Sequence, residues 1–533
     1  MSQAGRPQGD MEQVLAQENP STRELARLVA TLSLPTILAE VCSTAMEYID
    51  TAMVGSLGAQ ASAAVGLVAS STWLVGGVCL GLSTGFTVQI AQLVGAGRAE
   101  AARNVLRQAI VVLGVASVVL AGVCAALSGQ LPSWLGGAPD VTPQAASYFL
   151  IYSLALPAAL FMRLGVGALQ CAGDMRTPSL LSMLMCLLDV VFNFFLVFPS
   201  RELVLGGLHV WMPGAGLGVA GAALGTAAAE VVVGALLFWA ACVRSEKLAL
   251  FGRRAKERAS EHPSNESRET GNRSSMGSGM AGSAQTLATT GRGAAARGMQ
   301  PVKVLRRPKA LGPWRPRASC LLAAAKVAGP ICLERVVLNG AQIVSVGIVA
   351  PLGTVAVAAH SLAITAEGIC YMPGFGVAAA ATTLVGQTFG AGRRDLARRL
   401  ANLCVALGMA IMTCTGAAMY LLAPAVFALF TPDTAVQALG SSVLRIELFA
   451  EPLFAAAIVT MGALRGAGDT LVPTLLNIAT MWGVRITLAF ALVPSLGLAG
   501  VWVAMLVELC VRGTLFLVRL KRGKWLERET LVG

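Results

Sequence analysis

The sequence predicts an all-α polytopic membrane protein: twelve transmembrane helices in two parallel six-helix repeats, an N-lobe and a C-lobe, around a central cleft. The first observation is composition, because 55% of the 533 residues are hydrophobic, only 13% are charged, and mean hydropathy is +0.69. Soluble domains do not have this balance. The second is a series of long apolar windows, and the third is an internal repeat. The windows are continuous and do not alternate in polarity, which argues against an outer-membrane β-barrel.

Each apolar window is long enough for a helix that crosses the membrane, which takes roughly 20 residues. Polar or Gly/Pro-rich breaks separate the windows. The predicted helices span 31–55, 62–93, 106–128, 145–169, 178–198, 217–242, 320–349, 354–389, 401–429, 443–464, 473–493 and 498–518.

The segments outside the helices define five regions and an orientation. We expect a polar cytoplasmic tail over 1–30 without a cleaved signal peptide, an N-lobe over 31–243, a basic disordered linker over 244–318, a C-lobe over 319–518 and a cytoplasmic tail over 519–533. Arg201 is the one Lys or Arg on the loops of the opposite side. The positive-inside rule therefore places both termini in the cytoplasm. The linker is interpreted as a passive tether or a site for anionic lipid headgroups, and no nucleic-acid partner is expected.

Two halves of the chain repeat one another at an offset of 295 residues. Residues 167–178 match residues 462–473 at seven of twelve positions without a gap. The register slips after the fifth helix because the first half has a longer 5/6 loop. An even number of helices per half makes the repeats parallel, and two such bundles around a cleft suit alternating access. Further matched pairs are Pro35 and Pro330, Gln92 and Gln387, Gly95–Arg98 and Gly390–Arg393, and Pro157 and Pro452.

Several function classes find no support in the sequence. The twelve cysteines lie in or beside apolar runs without a CxxC pair, so we interpret them as small packing residues, and the three histidines are too scattered for a metal site. The Gly-rich stretch 214–225 lacks the Gly-Lys-Ser/Thr of a nucleotide loop. No Ser/His or Asp/His pair at helical spacing indicates a hydrolase. We therefore expect no enzyme activity, no nucleotide and no cofactor other than a coupling ion.

Five stretches together resemble the multidrug and toxic compound extrusion (MATE) family. They are residues 50–58 in the first helix, the Gly-Ala-Gly-Arg turns after helices 2 and 8, residues 385–387, and residues 465–473. The resemblance implies two six-helix lobes and export of organic compounds, often cationic amphiphiles, in exchange for H+ or Na+. The major facilitator superfamily has the same repeat symmetry, but the 2/3 loop lacks its Gly-x-x-x-Asp-Arg signature.

Ten acidic residues lie inside the predicted helices, and they outnumber the basic residues there. An ionisable group in hydrocarbon is costly, so each one is a functional candidate. Some of these acids must be protonated, bind a cation or contact water. They are Glu40, Glu47, Asp50, Asp189, Glu230, Glu334, Glu367, Glu447, Glu451 and Glu508.

The N-lobe candidates for cation coupling are Asp50, Asp189, Asn193 and Glu47. Glu47 and Asp50 share one face of the first helix, and Asp189 and Asn193 lie one turn apart on the fifth. By the resemblance, Asp50 occupies the motif position implicated in cation binding. The set could supply oxygen ligands to Na+ or a buried carboxylate that binds H+. The alternative is a purely structural set of interhelical hydrogen bonds.

The C-lobe candidates are Glu334, Glu451 and Glu367, and Glu447 is assigned a structural role because Arg445 is near it in sequence. The predicted function is a secondary antiporter for organic cationic amphiphiles. The alternatives are a related lipid-linked precursor flippase and an exporter of organic anions or metabolites. We expect a monomer in the plasma membrane whose partners are small organic substrates and membrane lipid.

Overall fold

The computed structural model describes residues 17–205, 208–250 and 314–532, together with Met11 and Val14. Most of the predicted linker, 244–318, lies outside these residues. The first half of the chain forms six long helices. They are α1 (Thr22–Gly55), α2 (Ala59–Gly95), α3 (Ala99–Leu127), α4 (Thr142–Cys171), α5 (Arg176–Val197) and α6 (Gly218–Arg244).

The second half forms six more helices, in agreement with the predicted repeat. They are α7 (Ala318–Val349), α8 (Thr354–Gly390), α9 (Arg394–Phe430), α10 (Thr434–Glu447 and Glu451–Gly466), α11 (Leu471–Leu496) and α12 (Leu498–Arg522). Two of them contain a local change of winding: a 3-10 turn (Leu448–Ala450) within α10 and a π turn (Met481–Ile486) within α11. Of the twelve helices in the described residues, ten are long and apolar enough to cross a membrane, all except α7 and α10.

The helices extend into both predicted tails. Helix α1 begins at Thr22 instead of residue 31 because Ser21 and Glu24 form a capping box, in which the Glu24 backbone N–H donates to Ser21 Oγ over 3.2 Å. Helix α12 continues past residue 518 to Arg522. Hydropathy did not reveal the first turns of α1 because charged residues lie between the apolar residues there. The apolar residues that these turns bury are Leu25, Leu28, Val29 and Leu32.

A β-hairpin fills the 5/6 loop, where the sequence analysis predicted only extra length. Strands β1 (Pro199–Leu205) and β2 (Leu208–Ala215) pair antiparallel. The Arg201 guanidinium lies over the Phe198 ring at 4.0 Å and over the Phe194 ring at 4.7 Å, which holds β1 against the end of α5. In the second half, Gly497 alone joins α11 to α12, and its φ of +56° suits glycine. The hairpin therefore explains the loss of repeat register.

The two lobes pack across one another through α1 on α8 and through α2 on α7. Small residues make both contacts close. A Cβ at Gly376 would lie 2.6 Å from the backbone of Ile37, and a Cβ at Gly85 would lie 2.6 Å from the carbonyl oxygen of Ala324. Close approach of this kind is how membrane helices gain packing energy without a hydrophobic driving force. The inner faces of α1 and α7 therefore line the boundary between the lobes.

Candidate functional site

Three of the predicted N-lobe residues meet between α1 and α5. The side-chain amide of Asn193 donates to Asp50 Oδ1 over 2.8 Å and to Asp189 Oδ2 over 3.1 Å. Asp189 and Asn193 are buried, whereas Asp50 is partly exposed. The Asn193 amide therefore bridges two carboxyl groups. One of them, that of Asp50, is partly exposed where α1 meets α5.

The local sequence explains why these side chains turn inward. Helix α5 buries a row of residues spaced by four, from Met185 through Asp189 and Asn193 to Val197. Helix α6 faces this row with a glycine at position 225, where any Cβ would collide with Asn193 Oδ1. Gly225 thus makes the space in which the Asn193 amide reaches both carboxyl groups.

This N-lobe site, defined as Asp50, Asp189 and Asn193, has unused acceptor capacity. Asp189 Oδ1 and Asn193 Oδ1 are buried and have no hydrogen-bond partner in the described structure. Two carboxylates that share one amide cannot both be charged at low cost inside a protein unless a cation neutralises them. The arrangement is therefore suited to holding a proton or to offering oxygen ligands to a small cation.

Glu47 lies on α1 one turn before Asp50, and its side chain is exposed. Its neighbour Tyr48 donates its hydroxyl to the Thr365 carbonyl of α8, which places this part of α1 at the boundary between the lobes. Glu47 therefore shares the boundary with the N-lobe site without joining its hydrogen bonds.

The predicted C-lobe residues separate into two groups. Glu334 accepts hydrogen bonds from Asn477 Nδ2 at 2.8 Å and Thr474 Oγ1 at 3.0 Å, and Arg465 lies 3.9 Å from its carboxylate. These contacts tie α7 to α11 and supply both donors and a counter-charge. Glu334 thus has the surroundings of a structural carboxylate.

Glu447 and Glu451 form the other group, and both are fully buried. They flank the 3-10 turn in α10, and all four of their carboxylate oxygens are without a hydrogen-bond partner. Glu367 of α8 is 4% exposed and interacts electrostatically with both. We call these three residues the C-lobe acid cluster.

Arg445 does not neutralise Glu447, although its position in the sequence suggested that it might. Residues two apart point to opposite sides of a helix, and Arg445 donates to the Tyr420 carbonyl over 3.0 Å with its guanidinium over the Tyr420 ring. Glu447 therefore lacks the counter-charge on which its predicted structural role rested, and that role stays a prediction. Its i, i+4 spacing from Glu451, already evident in the sequence, places the two carboxylates on one face of α10.

Two arginines lie beside the C-lobe acid cluster. Arg512 pairs with Glu508 over 3.1 Å, while Arg485, from the π turn of α11, is 8% exposed and donates to the Met505 sulfur. Both interact electrostatically with Glu367. Counting Glu508, four carboxylates face two guanidinium groups, so acids outnumber bases in and beside the C-lobe acid cluster.

The arrangement of His, Cys, Asp and Glu side chains in the described residues bears on whether a metal ion could bind. No group of three or more His, Cys, Asp and Glu side chains in the described ranges could hold a metal ion. His360 is buried with its ring edge-to-face on Trp502 at 5.8 Å, as a packing residue would be. All twelve cysteines are free thiols.

Comparison with known proteins gives a consistent result. The MatE family profile matches residues 35–195 and 330–491. A probable multidrug resistance protein NorM from Thermotoga maritima is 24% identical over 513 residues, which is 95% of both chains. The multidrug resistance protein MdtK from Pectobacterium atrosepticum is 24% identical over 503 residues, 93% of this chain and 95% of its own.

The fold has a solved counterpart. A MOP superfamily transporter from Pyrococcus furiosus superposes with a TM-score of 0.76 and 18% identity over 97% of this chain and 98% of its own. The two matched segments begin 295 residues apart, as the repeat does. With this profile covering more than half of the sequence, the chain belongs to the MATE family of multidrug and toxic compound extrusion transporters.

Proposed function

We propose that this transporter is a secondary antiporter that exports organic, cationic and amphiphilic compounds in exchange for H+ or Na+. The observation that carries the proposal is the N-lobe site, in which one amide bridges Asp50 and Asp189 and two buried oxygens remain unpaired. Relatives named multidrug resistance proteins support the substrate class.

Coupling follows if cation occupancy changes the balance between two lobe arrangements. A proton or Na+ at the N-lobe site neutralises the shared carboxylates and favours the arrangement in which they are buried together. Once that cation leaves, the acidic boundary attracts an organic cation. The two fluxes are then linked by a coupling free energy between their binding sites.

The C-lobe acid cluster is a second candidate for the cation. Glu447 and Glu451 have no donor to their oxygens, and burying two unpaired carboxylates is costly unless a proton or cation is bound. Glu334 is a weaker candidate because Asn477 and Thr474 already satisfy it. The proposed hierarchy is Asp50 and Asp189 first, and Glu451 with Glu447 second.

The test is ethidium efflux from cells that express the wild type, Asp50→Asn or Glu451→Gln, with the H+ and Na+ gradients collapsed separately. Asp140→Asn is the matched control, since Asp140 is an exposed loop carboxylate held by Gln60. We expect Asp50→Asn to abolish gradient-driven efflux at equal membrane expression, and the control to transport normally. The gradient whose collapse stops efflux identifies the coupling ion.

Each other outcome has a specific meaning. Efflux that survives Asp50→Asn but is lost in Glu451→Gln moves coupling to the C-lobe acid cluster. Efflux that persists with both gradients collapsed contradicts antiport. Absence of efflux in the wild type contradicts cationic drug export and directs attention to organic anions or a lipid-linked precursor, although the excess of buried acids disfavours an anionic cargo.

We also propose that the protein works as a monomer in the plasma membrane with both termini in the cytoplasm. The support for the orientation is the charge of the loops, because Arg201 is the one Lys or Arg on the loops of the other side. A membrane-impermeant label added to intact cells tests the orientation. It should leave an epitope at residue 533 unreacted until the membrane is opened.

A further inference from the structure

The Gly-Ala-Gly-Arg turns after α2 and α8 lie against one another where the two lobes meet. A Cβ at Gly95 would collide with the carbonyl oxygen of Gln387, and a Cβ at Gly390 would collide with that of Gln92. Both pairs are related by the 295-residue offset. The helix ends therefore cross through reciprocal glycine contacts, at the end of the bundle that carries both chain termini.

The two glutamines extend this symmetry across the lobe boundary. Gln92 Nε2 donates to the Gly466 carbonyl over 3.1 Å, and Gln387 Nε2 donates to the Cys171 carbonyl over 2.8 Å. Cys171 and Gly466 are themselves 295 residues apart. Each lobe thus binds the backbone of the other through a buried side chain, which no requirement of cation binding explains.

The arginines of the two turns bind the chain termini. Arg98 donates to the Val532 carbonyl over 3.0 Å, and Arg393 donates to the carbonyls of Gln17 and Glu18 over 2.8 Å each. Arg98 belongs to the N-lobe but holds the C-terminal segment. Arg393 belongs to the C-lobe but holds the segment that leads into α1.

The C-terminal segment is anchored on both lobes. Arg528 pairs with the fully buried Asp469 over 3.1 Å, and Arg519 pairs with the same carboxylate over 2.7 Å. The backbone N–H of Leu531 donates to Gln92 Oε1 over 2.9 Å. The segment therefore connects the 10/11 turn of the C-lobe with the end of α2.

Apolar contacts also hold the C-terminal segment in place. The Leu531 side chain packs against Val88 of α2 and against Val327 and Ile331 of α7, which themselves lie on the two sides of the lobe boundary. A Cβ at Gly468 would lie only 3.1 Å from Leu531 Cγ. The surface that binds the C-terminal segment therefore combines hydrogen-bond donors, hydrogen-bond acceptors and apolar contacts.

We propose that the paired turns form a binding surface for the chain's own terminal segments, 17–20 and 528–532, and that the bound segments clasp the lobes together at this end. A transporter that works by alternating access must break these contacts when this end of the bundle opens. The clasp stabilises the conformation in which this end of the bundle is closed. It does so whatever ion or substrate is carried, so the inference goes beyond the proposed function and does not depend on it.

The test is hydrogen exchange, followed by mass spectrometry, in the purified full-length protein. The variants are Arg98→Gln and Arg393→Gln. The matched control is Arg103→Gln, because Arg103 also donates to a carbonyl, that of Lys247 just after α6, without crossing the boundary between the lobes. Arg98→Gln loses one charged hydrogen bond and Arg393→Gln loses two, so exchange at residues 92–98 and 387–393 should speed up at least about tenfold.

A chain that ends at Glu529 gives an independent variant, since it retains the Asp469–Arg528 pair and removes residues 530–533, which include the two that contact Gln92 and Arg98. Faster exchange in both crossing peptides, with the control like the wild type, supports the clasp. Faster exchange confined to the terminal segments overturns it, as does equal acceleration in Arg103→Gln. Hydrogen exchange does not require transport. The test of the clasp therefore stays valid even if the proposed antiport is wrong.

Discussion

Replacing Gly225 by alanine is expected to disrupt the N-lobe site without changing any charge. The new Cβ would collide with Asn193 Oδ1 and would lie 2.9 Å from Asn193 Cγ and 3.1 Å from the Asn193 backbone nitrogen. Rotation of the side chain alone cannot relieve a contact that also involves the backbone. The amide must therefore leave its two carboxylate partners, or α5 and α6 must separate.

The expected magnitude follows from the bonds that are lost. Two hydrogen bonds to carboxylates contribute about 1.5 kcal/mol each at the lower end of the usual range, and alanine regains about 1 kcal/mol of helix propensity over glycine. We therefore expect the free energy of unfolding to fall by about 2 kcal/mol. Efflux should fall with it because the bridge between Asp50 and Asp189 is lost.

The assay is equilibrium unfolding of the purified protein in mixed micelles, with ethidium efflux in cells as the second readout. Gly234→Ala on the same helix is the matched control, because a Cβ there would meet the Ala158 carbonyl at an ordinary 3.4 Å. The control should be neutral or slightly stabilising. If the two variants unfold alike and transport alike, the geometry assigned to Gly225 is wrong.

Three further changes have defined outcomes. Gly95→Ala should prevent the close crossing with Gln387 and lower the melting temperature, and an unchanged melting curve would contradict the contact. Asn477→Leu should remove one of the two hydrogen-bond donors of the buried Glu334 and destabilise the protein by about 1–3 kcal/mol in the same unfolding assay, which an unchanged midpoint would refute. Asp469→Asn should release the C-terminal segment, detected as faster protease cleavage there; equal cleavage rates would show that its arginine pairs do not hold it.

The candidate site was partly predictable because spacing along a helix is a local property. Asp189 and Asn193 are four residues apart, and that spacing alone places them on one face of α5. The bridge to Asp50 needed the packing of α1 on α5, 143 residues distant in sequence from Asn193. The sequence grouped these residues only as candidate ligands of one cation, and the structure supplies their contacts and distances.

The sequence was a poor guide to which acids have partners. Glu334, ranked as a coupling candidate, is satisfied by Asn477, which is 143 residues away, whereas Glu447, assigned a structural role, has no donor at either oxygen. Arg445 does not supply the partner of Glu447 because residues two apart in sequence lie on opposite sides of a helix, and the structural role of Glu447 stays a prediction. The hairpin in the 5/6 loop escaped prediction for a different reason: its strands, β1 and β2, carry no long alternating pattern.

By itself the sequence determined the class of the molecule: a membrane protein, built from a duplicated six-helix unit, with more acids than bases in its helices. Hydropathy, periodicity and a repeat offset are sums over neighbouring residues, so they need no knowledge of the fold. Only the tertiary structure decided which buried carboxylates share an amide, which stay unpaired, and that Arg98 and Arg393 hold opposite ends of the chain. Those pairings depend on the rotation and crossing of helices that lie more than a hundred residues apart in sequence, where a single glycine such as Gly95 sets the distance between them.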